Sequence, residues 1–146
     1  FLRITDRKKE MFKTSGGKYI APQIIENRMK QSLFIEQVMV IGDGEKMPAA
    51  FIQPNFDFVR EWAHRHGFEI TGTNEELIAN PKVIERFQEE VDHANEKFGN
   101  WEKIKRFELT PDVWSIEAGH LTPTMKLRRK IVREKYQHLY EKIYQS

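Results

Sequence analysis

Two stretches, "IEQVMVIGDG" (residues 35–44) and "AAFIQPN" (49–55), decide the fold of this chain. Gly42-Asp43-Gly44 closes the first, and these residue types tolerate the positive φ angles that a tight reversal demands. Short apolar runs on either side of such a turn predict an antiparallel strand pair. Upstream, Pro22 sits where a first helical turn accepts proline, and Ile24, Ile25, Met29 and Leu33 follow at helical spacing. Further upstream still, Gly16-Gly17 predicts a hairpin joining strands at about 10–14 and 18–20. Downstream, Phe58, Val59, Trp62 and Ala63 predict an amphipathic helix over 56–66 closed by Gly67, and Asn74 can cap another short one. Val83, Ile84, Phe87, Val91, Ala94 and Phe98 form a stripe over 81–98, started by Pro81 and ended by Gly99. "IKRFELT" (104–110) reads as a further strand. A last helix is predicted from about 125 to 145, with Val132, Tyr136, Leu139, Tyr140 and Ile143 on one side. The order implies an α+β domain with a β-hairpin, a central, mainly antiparallel sheet of about three strands, and packed helices.

The bulk numbers agree with one such domain. The 146 residues suffice for a single core, and 39% hydrophobic with 32% charged residues is the composition of a soluble globular domain. The absence of cysteine excludes disulfides and thiolate chemistry. No run approaches the roughly 18 apolar residues of a membrane span, and no signal-peptide pattern is present. A cytoplasmic location is the default, with peripheral membrane contact of the full-length protein left open. The chain opens at Phe1 without an initiator Met and reads as a fragment of something longer.

Net charge is only +2, yet residues 1–30 hold eight Lys/Arg against three acids and residues 126–146 hold seven against two. Two basic ends that meet in the fold would make a positive face suited to phosphate-bearing ligands. Nucleic acid is not expected as a partner, since duplex binders carry a stronger overall excess. At the first end, Asp6-Arg7-Lys8-Lys9 precedes Lys13-Thr14-Ser15-Gly16-Gly17-Lys18. The glycines suggest a P-loop, but four residues must separate its first Gly from Gly-Lys-Ser/Thr, and "SGGKY" lacks that spacing. At the second end, Thr122-Pro123-Thr124-Met125-Lys126 is a polar turn before the last helix. A lysine in a first helical turn opposes the macrodipole, an arrangement that suits an anion brought by another body. The five histidines show no metal-binding spacing, and the tyrosines at 136, 140 and 144 read as a packed helix face.

Together the two basic motifs resemble those of the adenylate-forming acyl-CoA synthetases. "ITDRKKEMFKTSGGKYIAPQIIEN" (4–27) resembles the superfamily's hinge motif, and "LTPTMKLRRKIV" (121–132) its final, lysine-bearing motif. The resemblance covers essentially the whole chain and is greatest to the long-chain fatty acid–CoA ligases. Many relatives have Gly-Arg where this chain has Asp6-Arg7, and Gly-Lys where it has Met125-Lys126. Both variants suit the long-chain branch, as does the long helical stretch 56–103.

The resemblance implies that residues 1–146 are the C-terminal lid of such a ligase, with a hinge near 6–9 and a large N-terminal domain as its partner. Lys126 would be the adenylation lysine, Lys9 the hinge and Arg7 a contact to the nucleotide ribose. Lys13, with Ser15, Gly16 and Gly17, would face the pantetheine of CoA in the thioester-forming orientation. ATP, CoA and a fatty acid would be the substrates, and Mg2+ would come with the ATP without being held by this domain. Two anions, a carboxylate and the α-phosphate, must approach in adenylation, and a lysine ammonium offsets their repulsion. Unit charges about 4 Å apart interact by roughly 4 kcal/mol at a protein edge, worth about a thousandfold in rate if felt only in the transition state. The alternatives are another adenylate-forming branch, or a stand-alone phosphate- or RNA-binding module.

Overall fold

A computed structural model describes residues 11–145, apart from 69, 71, 100, 101 and 125. The expected hinge, with Arg7 and Lys9, lies outside the described residues. The hairpin forms from β1 (Phe12–Lys13) and β2 (Tyr19–Ile20), and α1 (Pro22–Met29) follows with Pro22 opening its first turn. β3 (Ile35–Ile41) and β4 (Ala49–Pro54) pair antiparallel across the Gly42–Gly44 turn. Then come α2 (Phe56–Arg65), α3 (Asn74–Ala79), α4 (Pro81–Asn95), β5 (Arg106–Leu109), α5 (Arg129–Lys135) and α6 (Gln137–Gln145).

β5 adds to β4 in parallel, giving the order β3-β4-β5. Parallel neighbours need a long crossover, and the helical stretch from α2 to α4 supplies it. The sheet has helices on both faces. Val38, Val40, Ala50 and Ile52 face α1 to α4, in a core with Ile25, Val59, Leu77, Phe87 and Val91. Their neighbours Met39, Ile41, Ala49 and Phe51 face the opposite way, packing with Trp114, Val132, Tyr136, Tyr140 and Ile143. A strand buried on both faces has no polar alternation, which explains why β4 reads as a near-continuous apolar run.

Local chemistry accounts for the helix starts. Asn55 caps α2 by accepting from the Phe58 amide at 3.2 Å, and Asn80 caps α4 by accepting from Lys82. The cap of α3 is Thr73, not the expected Asn74, because Glu76 reaches back to the Thr73 amide and completes a reciprocal capping box.

The structure corrects two further expectations. Ile24 and Leu33 are 64% and 69% exposed, because α1 stops at Met29 after two turns and only Ile25 and Met29 of the set reach the core. The last helix begins at Arg129 instead of about 125, since an antiparallel bridge between Leu121 and Leu127 takes Leu127 into a pairing outside the helix. It also breaks at Tyr136, whose φ of −111° and ψ of 30° leave the helical region. Tyr136, Tyr140 and Ile143 still line one buried face, as the spacing predicts.

Candidate functional site

The Gly-Gly turn is held from within and from outside. Thr14 and Gly17 close it, with the Thr14 amide donating to the Lys18 carbonyl and Gly17 donating to Thr14, both at 2.9 Å. Gly17 has φ of 86°, which a residue with a Cβ adopts only under strain. From outside, the Ser15 amide donates to the Glu45 carbonyl and the Gly44 amide to the Lys13 carbonyl, each at 2.9 Å. The hairpin therefore rides on the β3–β4 turn. Lys13 is exposed, its Nζ 5.7 Å from the centre of the Tyr19 ring. Ser15, Gly16 and Gly17 are exposed as well.

Lys126 stands on a second loop, ahead of α5 and outside any helix, so the expected conflict with a helix dipole does not arise. Its amide donates to Thr122 Oγ1 at 3.1 Å, and its carbonyl accepts from the Thr122 amide at 2.8 Å. Below this, the Leu121–Leu127 bridge and a bond from the Arg128 amide to the His120 carbonyl close the base of the loop. Lys126 is thus held at both its amide and its carbonyl, while its side chain is exposed.

Between the two loops lies a contact that the charge pattern did not reveal. Glu26 of α1 is 5% exposed, and its carboxylate accepts from both Arg129 terminal nitrogens at 2.7 Å. Glu26 Oε2 also accepts from the Val40 amide of β3 at 2.8 Å. Among the described residues, α1 of the first basic end and α5 of the second do meet, and a buried acid joins them. Bidentate, charge-assisted pairs of this kind fix orientation as well as distance. Arg129 lines two cavities. The smaller, about 190 Å³, includes Lys126, Gln23, Asn27 and Lys30. The larger, about 560 Å³, has an apolar floor of Phe12, Met39 and Ile41 and is rimmed by Lys130 and Arg133. Lys13 and Ser15–Gly17 line neither. Arg129 is therefore not part of a solvated basic stripe, and Arg133 lies over the Tyr140 ring at 4.3 Å.

A buried polar network supports the Lys126 loop. His120 is 1% exposed and stacks on Trp114 with ring centres 5.6 Å apart. Its Nδ1 accepts from the Ser115 amide at 3.2 Å, and its Nε2 meets Tyr136 Oη at 3.1 Å. Tyr136 in turn donates to Asp112 at 3.0 Å. With Nδ1 accepting, the ring is the neutral Nε2–H tautomer, and it donates to Tyr136. Burial, reinforced by Lys135, pushes the His120 pKa below its ordinary 6.5, with Asp112 opposing. Burial, with the bond to Asp112, pushes the Tyr136 hydroxyl up. Sequence spacing could not find this group, because its members are separated in the chain and carry no motif. Among the described residues, no group of three or more His, Asp and Glu side chains could hold a metal ion, and no helix is long and apolar enough to cross a membrane.

This small α+β fold is shared with the C-terminal part of adenylate-forming enzymes. Residues 10–146 match the family described as AMP-binding enzyme C-terminal domain, and the chain belongs to that family. Among its curated relatives is the long-chain-fatty-acid–CoA ligase FadD15 of Mycobacterium tuberculosis, 34% identical over 99% of this chain and 24% of the relative. Human long-chain-fatty-acid–CoA ligase 1 is 35% identical over 99% of this chain and 21% of its own length. The chain thus spans a quarter or less of the curated relatives it matches. In structure it is similar to the adenylation domain of the carboxylate reductase from Mycobacterium chelonae, with a TM-score of 0.76 and 19% identity, covering 97% of this chain and 20% of that one.

Proposed function

We propose that the full-length protein is an AMP-forming long-chain fatty acid–CoA ligase, and that this domain serves both of its half-reactions. In the first, the fatty acid carboxylate attacks the α-phosphate of ATP and pyrophosphate leaves. In the second, the CoA thiol attacks the acyl-adenylate carbonyl and AMP leaves. Lys126 is the cation for the first step, placed where carboxylate and α-phosphate converge. Lys13, with Ser15, Gly16 and Gly17, borders the path of pantetheine in the second, Lys9 is the pivot between the two orientations, and Arg7 contacts the ribose. The names of the 34–35% identical ligases, which the chain matches from end to end, support the substrate class.

The observation that carries the reading is the architecture around Lys126. Its loop backbone is closed on both sides, yet its side chain is exposed and makes no salt bridge among the described residues. A fixed base with an exposed cation is what an anion supplied by another body requires, because little orientational freedom is then lost when it binds. Mg2+ would arrive with ATP as part of the substrate and is not held by this domain. The test is Lys126→Ala in the full-length protein. Fatty acid-dependent pyrophosphate exchange should fall about a thousandfold, the magnitude of one charge at contact distance. Thioester formation from supplied acyl-adenylate should persist, and equal loss of both would make Lys126 structural.

A further inference from the structure

The tyrosines of the C-terminal segment divide between the two loops. Tyr136 lies at the break between α5 and α6, and its hydroxyl is the middle of a one-way chain: Ser115 amide to His120, His120 to Tyr136, Tyr136 to Asp112. His120 is the residue whose carbonyl holds the Arg128 amide at the base of the Lys126 loop. Tyr140 and Tyr144, one and two turns further on, point elsewhere. Tyr140 donates to the Glu45 carboxylate, and Tyr144 donates to the Met47 carbonyl at 2.8 Å. Glu45 is the residue whose carbonyl holds the Ser15 amide, in the turn that also ties Gly44 to Lys13.

We infer that Tyr136 is a positioning residue for the adenylation half-reaction, and that Tyr140 with Tyr144 are positioning residues for the thioester-forming half-reaction. This rests on the functional reading above and deepens it. One C-terminal segment sets both loops, but through hydroxyls that share no acceptor. The rings themselves pack in the core beneath the sheet, with Tyr136 5.7 Å from Phe51 and Tyr140 4.9 Å from Tyr144. Packing and positioning are therefore separable by removing one oxygen. In a phenylalanine variant the ring remains, while the residue whose carbonyl closes the loop base, His120 or Glu45, loses a bond that orients its side chain.

The experiment uses the full-length protein and compares Tyr136→Phe, the double variant Tyr140→Phe/Tyr144→Phe, and Lys126→Ala. For each, the rate of fatty acid-dependent pyrophosphate exchange is divided by the rate of thioester formation from supplied acyl-adenylate. Loss of one buried hydrogen bond at a loop base should move a half-reaction by about tenfold. Tyr136→Phe should lower the ratio by that factor, and the double variant should raise it. A ratio unchanged in both variants, or moved in the same direction by both, overturns the inference. If Lys126→Ala itself leaves the ratio unchanged, the functional reading fails first and the inference falls with it. Should a tyrosine variant not fold, Asp112→Ala and Glu45→Ala make the same comparison with the tyrosines in place.

Discussion

At 5% exposure the Glu26 carboxylate accepts two bonds from Arg129 and one from the Val40 amide, so three parts of the chain depend on one acid. Removing it takes a bidentate carboxylate from a guanidinium that is only a quarter exposed, and the acceptor from a strand amide. Breaking one side of a buried pair costs about 3 kcal/mol or more, so Glu26→Ala should lower the unfolding free energy of the chain by about that amount in urea titration. Glu26→Gln, which keeps an acceptor for Val40, should lose less. His120 makes a second prediction at this scale. Its folded pKa is depressed, so the unfolded chain takes up a proton first as pH falls. The contribution of His120 is complete above 6.5 and is lost as pH drops through the folded value. Between about pH 7.5 and about pH 5, His120→Asn should therefore lose less stability than the parent chain, measured by urea midpoints; an identical slope would contradict the buried neutral ring. Neither residue was legible in the sequence as more than an acid and an isolated histidine. Their partners are 103 and 16 positions away, and no local pattern encodes such distances.

Elements were more readable, because turns and helix starts are written locally. Gly42-Asp43-Gly44 marked the β3–β4 reversal, and Pro22 and Pro81 marked helix starts that the structure contains. What failed was the start of the last helix. The Leu121–Leu127 bridge takes Leu127 into a local pairing across the Thr-Pro turn, and that pairing overrides the helix propensity of Lys126, Leu127 and Arg128. The β3–β4 turn bears the hairpin as well as the reversal, which gives Gly42 a double role. Its φ is 138°, and an added Cβ would sit 2.9 Å from the Pro48 backbone and 3.4 Å from the Phe12 ring. Gly42→Ala should cost about 2 kcal/mol and raise amide exchange at Ser15, whose partner Glu45 belongs to the same turn. Unchanged exchange there would mean that the hairpin does not depend on the turn.

For the whole molecule, the sheet with helices on both faces explains how one small domain can carry two loops independently. α1 and β3 are bound to α5 through Glu26 and Arg129, and the Lys126 loop is tied to the core through His120 and Tyr136. The α+β class and the two basic motifs were legible from turn chemistry and from order along the chain. The parallel β4–β5 pairing was not, since it follows from the path of the crossover and from no feature of the strand itself. On the proposed reading the two loops serve different half-reactions of one enzyme, and measuring both half-reactions in full-length Lys126→Ala and Lys13→Ala side by side separates them. A crossed result is expected: Lys126→Ala loses pyrophosphate exchange and keeps thioester formation from acyl-adenylate, while Lys13→Ala does the reverse. Parallel losses in both variants would contradict it.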